Sequence, residues 1–327
     1  NMHPMSQRLR KLKKAVCGAF TWYRESPVVY IYQMGKVAST AIKNALLRRR
    51  IECYQPHFLS RNAFEQLIKR FEEVDLTDWT AEHLSSQIAE NLRLYNRLIK
   101  FRNHSPEMPQ ELKIITLTRE PLDWYFSKFS QNFGEYRQDV ARFIAETRDI
   151  RIGNEDADRI YTHVGEFIGS LLEFASSHMS SFSPEESARI GMMLKDAEFS
   201  GIPGNRVLLK HCMILLRPFN WFYMHFDPVF NTRIIDSALA HECPSRQLKL
   251  DYCEILILRY EDLFGSAIGV LEEFIPECKP LTLKKENMMV GKKTGREMYA
   301  VKKDLVLPVP LKQRIDQSPY VQAFYSS

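Results

Sequence analysis

The stretch that decides the fold is Pro27-Val-Val-Tyr-Ile-Tyr-Gln-Met-Gly-Lys-Val-Ala-Ser-Thr40. Pro27–Gln33 is a run of β-branched and aromatic residues, the pattern of a strand buried on both faces of a parallel sheet. It leads into the short polar turn Met34–Thr40, after which Ala41–Arg50 reads as a helix. A buried strand, a tight turn and a helix form the opening unit of an α/β fold.

Outward from that unit the alternation continues. A short strand is expected at Glu52–Gln55. Ala81–Arg102 places Leu84, Ile88, Leu92, Tyr95 and Ile99 at three- and four-residue steps, which marks an amphipathic helix. Lys113–Thr118 is a second buried-type strand, closed by Arg119-Glu-Pro121, and Pro121 suits the first turn of a following helix. Residues Asp139–Ala197 have helical periodicity without legible chemistry. Leu248–Asp251 and Glu254–Arg259 read as two late strands, the second entering Tyr260-Glu-Asp-Leu263 and another helix. The expected architecture is a three-layer, P-loop-like α/β fold with a central, mainly parallel sheet flanked by helices. Its expected extent is a single domain over residues 27–327, with a helical insertion at about 134–200 and an N-terminal extension over 1–26.

Composition narrows the function. The 327 residues carry 45 Lys plus Arg against 40 Asp plus Glu, a formal net charge of +5. That excess is too small and too scattered for a duplex nucleic-acid binder, but it suits one compact anionic ligand in a basic pocket. No apolar run reaches the roughly 20 residues needed to cross a bilayer. The basic stretch Arg8–Lys14 is followed by too short an apolar segment for a signal peptide, and Asn1 ahead of Met2 reads as an addition to the natural start. Six cysteines, Cys17, Cys53, Cys212, Cys243, Cys253 and Cys278, show no CxxC or metal-ligand spacing. A reducing, cytoplasmic setting and no bound metal are expected.

The turn after the first strand offers the clearest chemistry. A backbone turn that opens a helix presents free N–H groups and the positive end of the helix dipole to an anion. Ser39 and Thr40 add hydroxyl donors, Val37 and Ala38 add backbone, and Lys36 adds a mobile charge. An ordinary capped helix start would use the same residue types. A Walker A loop would require Gly at Tyr30 and Ser or Thr at Val37, so a kinase or NTPase is disfavoured. A second piece is Arg119-Glu-Pro-Leu-Asp-Trp-Tyr-Phe-Ser127. There a charged guanidinium at a strand end and a hydroxyl in the next helix could converge on one oxyanion. The alternative is that Arg119 pairs with a structural carboxylate and Ser127 faces solvent.

Together these pieces resemble the sulfotransferases that use 3′-phosphoadenosine-5′-phosphosulfate (PAPS). Lys36-Val-Ala-Ser-Thr40 is similar to their 5′-phosphosulfate loop, with Ala38 where Gly is more usual, and Arg119…Ser127 to their 3′-phosphate motif. The Lys-x-Ala-Ser-Thr form is especially like carbohydrate 2-O-sulfotransferases. Tyr32–Thr40, Arg119-Glu-Pro121, Ser130-Gln-Asn132 and Arg259-Tyr-Glu-Asp-Leu263 also resemble bacterial capsular polysaccharide synthesis proteins. The resemblance implies a bacterial enzyme that moves a sulfuryl group from PAPS to a hydroxyl of a saccharide or small polar acceptor. It implies that Lys36 contacts the bridging oxygen between sulfuryl and phosphate. Sulfuryl transfer builds negative charge on the leaving oxygen, where a Lys is useful. N-sulfation of an amine, or a catalytically idle protein that only binds a nucleotide or partner, are the alternatives.

The acceptor needs a base. His57 is the candidate, because Tyr54-Gln-Pro-His-Phe58 follows the second strand and should open on the same sheet edge. The related enzymes have a His-x-His element in that region; here Gln55 stands at the first position. Asp227 is the next candidate. With Trp221 it belongs to an aromatic stripe that reads as core or as acceptor-pocket lining. Finally, Gly291-Lys-Lys-Thr-Gly-Arg296 resembles the basic late loop of the family, which would place Lys292, Lys293, Gly295 and Arg296 near the 3′-phosphate.

Overall fold

The computed structural model describes residues 28–57, 59–73, 79–102, 112–153, 156–239, 246–284 and 293–326. In chain order its elements begin β1 (Val28–Ile31), α1 (Ser39–Arg48), β2 (Glu52–Tyr54), α2 (Arg61–Glu73), α3 (Trp79–Arg102) and β3 (Lys113–Thr118). Then come α4 (Pro121–Gln131), α5 (Phe133–Arg148), α6 (Ala157–Thr162), α7 (Val164–His178), α8 (Pro184–Lys195), α9 (Ala197–Ser200) and α10 (Asn205–Trp221). A π-helical turn, Phe222–Phe226, precedes α11 (Asp227–Phe230), α12 (Ile234–Leu239), β4 (Arg246–Leu250) and β5 (Cys253–Arg259). The chain closes with α13 (Ala267–Phe274), α14 (Lys293–Asp304), α15 (Val309–Asp316) and α16 (Pro319–Phe324). The architecture is three-layer α/β, with a five-stranded, mainly parallel sheet flanked by helices.

The chain divides into two compact units. One comprises the residues through Thr118, His225–Thr232 and Cys243–Glu286; the other comprises Arg119–Met224, Arg233–Glu242 and the residues from Asn287 onward. The whole sheet lies in the first. Its strand order is β2-β1-β3-β5-β4, parallel except for β4, which runs antiparallel along β5 at the edge. In the register, Tyr30 faces Tyr54 on one side of β1 and Ile114 on the other, while Thr118 ends level with Arg259. All four residues of β1 are buried, as the apolar run requires, whereas the edge strand β4 alternates half-buried with exposed residues. β1 sits where the chain order reverses, since it pairs with β2 on one side and β3 on the other. Such a point is where open α/β sheets bind ligands.

The helix after β1 begins at Ser39, two residues earlier than expected, and ends at Arg48. Ala38 adopts a left-handed conformation (φ 56°) that turns the chain sharply enough for Ser39 and Thr40 to be helical. Arg50, also left-handed, terminates it. A satellite core of Leu67 and Phe71 from α2 with Leu84 and Ile88 from α3 completes this unit.

The second unit is helical among its described residues. Its helix α10 buries Leu208, Leu209, Cys212, Leu215, Leu216 and Phe219, while Arg206 and Arg217 on the same helix are exposed. Pro218 removes an N–H inside it, and the π-helical turn follows. Cys53, Cys212, Cys253 and Cys278 are buried free thiols. No described helix is long and apolar enough to cross a membrane.

Candidate anion-binding site

The turn from β1 to α1 has an unusual backbone. Gly35 (φ 84°), Lys36 (φ 60°) and Ala38 (φ 56°) are all left-handed. A left-handed conformation costs a residue with a Cβ about 1–2 kcal/mol. Two such residues in a four-residue turn therefore store strain, which persists where the surrounding structure over-determines it and is concentrated at ligand sites. Successive N–H groups in mixed right- and left-handed conformations form a concave nest for anions. The turn runs into α1, whose N-cap makes no side-chain capping bond and whose first turn has no acidic residue. Both features leave positive potential at the start of α1.

Gln33 holds this turn in place. It is 1% exposed at the end of β1. Its side-chain oxygen accepts from the Gly35 N–H, and its amide nitrogen donates to Ser39 Oγ at 2.9 Å. The Gln55 amide donates to the same Ser39 oxygen. A hydroxyl has two acceptor lone pairs and one proton. With both lone pairs taken by amides, Ser39 is left to act as a donor. The sequence identified Ser39 as a donor by residue type; the two glutamines enforce it.

The same Gln33 reaches His57. The His57 Nδ1 lies 3.3 Å from the Gln33 amide nitrogen and 3.4 Å from the Gln33 carbonyl oxygen. If Nδ1–H donates to that carbonyl, Nε2 is left with its lone pair, the form a general base needs. His57 is half-buried. Burial lowers its pKa below the ordinary histidine value and outweighs the opposing hydrogen bond to the Gln33 backbone and the attraction of Glu90. At pH 7 the ring is neutral. The loop that carries it is anchored from α3. Asn91 Oδ1 accepts from the His57 N–H at 3.0 Å, and Glu90 accepts from the Gln55 N–H and from Lys43 Nζ, both at 2.7 Å. The structure thus brings Ser39, Gln55 and His57 together around Gln33.

Glu90 and Asn91 were missed by the sequence reading, since α3 shows only its apolar stripe. So was a second histidine contact on the same loop: Ser60 Oγ lies 2.7 Å from His225 Nδ1. The Tyr32 hydroxyl donates to the His225 carbonyl at 2.8 Å. A lone polar residue closing an apolar strand was the one signal for Gln33.

In the helical unit, Arg119 directly follows β3 in sequence, and Ser127 lies in α4. Ser127 is 3% exposed, so the alternative that it faces solvent is overturned. Pro121 opens α4, and the Glu120 side chain caps it by accepting from the Asp123 N–H at 2.7 Å. The Tyr320 hydroxyl donates to the Arg119 carbonyl at 3.0 Å and accepts from its N–H at 3.1 Å. Its place 201 positions downstream kept this clamp out of the sequence reading. The expected late basic loop is corrected from Lys293 onward: that segment is helix α14, with Gly295 buried and Arg296 exposed. The i,i+3 pair Gly295 and Met298 supplies its buried face. Lys302, farther along α14, pairs with Asp123 of α4. Lys292 lies outside the described residues.

Trp221 is buried edge-on against Phe222, with ring centroids 5.1 Å apart, which is core packing. Asp227 accepts from the Thr232 hydroxyl at 2.8 Å, a bond that closes the turn after α11. Asp262 pairs with Arg259 at 2.7 Å in the turn after β5. Among the described residues no three His, Cys, Asp or Glu side chains gather as a metal-holding group.

Comparison with known proteins adds no relative: no family model matches the chain, and neither a curated protein nor a solved structure matches it.

Proposed function

We propose that the protein is a sulfotransferase that uses PAPS to sulfate a hydroxyl of a saccharide or small polar acceptor. The observation that carries this reading is the strained turn Gly35–Ala38, with two left-handed residues that bear a Cβ, leading into a helix start without a side-chain cap. Backbone N–H groups of Val37–Thr40 and the Ser39 hydroxyl, turned into a donor by Gln33 and Gln55, would hold the 5′-phosphate. Arg119 and Ser127 would hold the 3′-phosphate, an assignment that rests on the motif they resemble.

PAPS supplies a sulfuryl group already attached to a good leaving group. The chain's own residues then have two tasks. Lys36 stabilises the negative charge that grows on the phosphate oxygen as its bond to sulfur breaks. Neutral His57 accepts the acceptor's hydroxyl proton as the new oxygen–sulfur bond forms. The products are a sulfate ester, the 3′,5′-bisphosphate and a protonated histidine.

The test is release of 3′-phosphoadenosine-5′-phosphate (PAP) from PAPS in the presence of saccharide and amine acceptors. The reading expects acceptor-dependent release that Lys36→Ala lowers far more than it lowers nucleotide affinity, because the Lys36 contact strengthens in the transition state. Tight PAP binding without turnover on any acceptor would favour an idle binding protein. Equal losses of affinity and turnover in Lys36→Ala would make Lys36 a ground-state phosphate holder.

A further inference from the structure

The helical unit contains a cavity that the sulfotransferase reading does not use. It is a surface pocket of about 240 Å³, half open to solvent, among α5, α8 and α10, lined by Asp139, Leu194, Val207, Lys210 and the solvent-exposed Arg142 and Arg206. Three of the six lining residues are cations and one is an anion. The anion is already engaged: Asp139 Oδ2 lies 2.7 Å from Lys210 Nζ and 3.1 Å from His211 Nε2. Arg142 and Arg206, by contrast, have no carboxylate partner among the described residues. The nearby Glu146 accepts from the Gly204 N–H at 2.8 Å.

Beneath the cavity the wall is built from a buried polar chain. The Tyr125 hydroxyl is 2.8 Å from His211 Nδ1, His211 meets Asp139, and Asp139 meets Lys210. His211 is fully buried and ringed by Phe129, Tyr136 and Phe167. Asp139 holds the Lys210 ammonium at the pocket wall, while the rest of that side chain stays partly exposed.

We propose that this cavity binds a small oxyanion of up to two negative charges, a phosphate or sulfate monoester, gripped by Arg142, Arg206 and Lys210. Charge sets the class. Three cations against one carboxylate leave an excess of two, and guanidinium forks match phosphate and sulfate oxygens. Size sets the limit. The volume equals roughly eight waters at about 30 Å³ each, below the range typical of drug-sized pockets. Leu194 and Val207 supply an apolar wall for a short organic group. The inference does not rest on the sulfotransferase reading, because every residue in it belongs to the helical unit.

The test is titration calorimetry of the full chain with inorganic phosphate and, separately, inorganic sulfate at low ionic strength. Wild type and Lys36→Ala should both show a binding event that the double variant Arg142→Gln/Arg206→Gln weakens at least tenfold. Leu194→Trp, which fills the cavity and leaves every charge in place, should remove the same event. If the double variant binds as wild type does, or shows no event to lose because wild type has none, the site does not exist. If Leu194→Trp still binds fully, diffuse surface charge and not the cavity is responsible, and the proposal falls. If Lys36→Ala shows no event at all, the binding seen in wild type belongs to the turn after β1, and the proposal falls.

Discussion

Replacing Gln33 by Met gives a sharp probe of how the site is built. Met matches the length of Gln but can neither accept from the Gly35 N–H nor donate to Ser39. Gln33 is buried, so its former partners do not simply regain water. A net hydrogen bond contributes roughly 1 kcal/mol, and a partner left buried and unsatisfied costs about 1–3 kcal/mol. Ser39 retains the Gln55 amide, and His57 retains its backbone anchor to Asn91. The expected loss is therefore about 2–4 kcal/mol of stability, read as a lower midpoint in urea unfolding at unchanged slope. With one amide gone, the Ser39 proton is no longer forced outward, and the left-handed turn loses its tie at Gly35. PAP affinity should fall about tenfold, equivalent to about 1.4 kcal/mol. Gln33→Glu is the companion variant. It keeps an acceptor for Gly35 but adds a carboxylate beside the nest, so it should bind PAP more weakly than Gln33→Met. A stability loss below about 0.5 kcal/mol, together with PAP affinity within about twofold of wild type, would refute the role given to Gln33.

Three further outcomes are expected. Ala38→Gly should raise stability by about 0.5–1 kcal/mol in thermal melts, because relief of the left-handed strain exceeds the extra flexibility of the unfolded chain. His57→Asn should reduce turnover about 10²–10⁴-fold with PAP binding nearly intact. In wild type the rate should be level from pH 7 to 8 and fall only in acid, because desolvation keeps the half-buried ring neutral below the ordinary value of 6.5. The same depression makes His57 a liability in acid: below about pH 6.5 the unfolded ring gains a proton that the native ring resists, so its contribution to unfolding free energy declines as pH falls. Tyr320→Phe removes both bonds to the Arg119 backbone and should cost about 1–3 kcal/mol in urea unfolding. It should also weaken PAP more than adenosine 5′-monophosphate.

The parts of the fold legible in the sequence are those decided by local composition. β1, β3 and β5 are β-branched apolar runs that only a doubly covered sheet can bury, and their parallel order follows from the helices between them. The start of α1 was displaced by two residues because no side chain signals it; the signal is a left-handed Ala38, which composition does not reveal. The turn itself was legible, as Gly35, Lys36, Ser39 and Thr40 are adjacent. The network around it was not. Gln33 meets Ser39 six residues on and His57 twenty-four residues on, and Asn91 arrives from a helix thirty-four residues beyond His57. The chain Tyr125–His211–Asp139–Lys210 spans eighty-six positions inside helices whose visible pattern is only their apolar stripe. Hydrogen bonds of such separation leave no periodicity to read.

The central claim is that the turn after β1 and the Arg119–Ser127 pair recognise a 3′-phosphorylated adenine nucleotide. Titration calorimetry with PAP, adenosine 5′-monophosphate and ATP, each with and without Mg²⁺, tests it most directly. Charge-assisted pairs to the 3′-phosphate contribute roughly 1.5–3 kcal/mol each, so PAP should bind at least about tenfold tighter than the monophosphate, and Mg²⁺ should not be needed. Equal affinity for the two, or tighter binding of Mg²⁺-ATP than of PAP, would contradict the account.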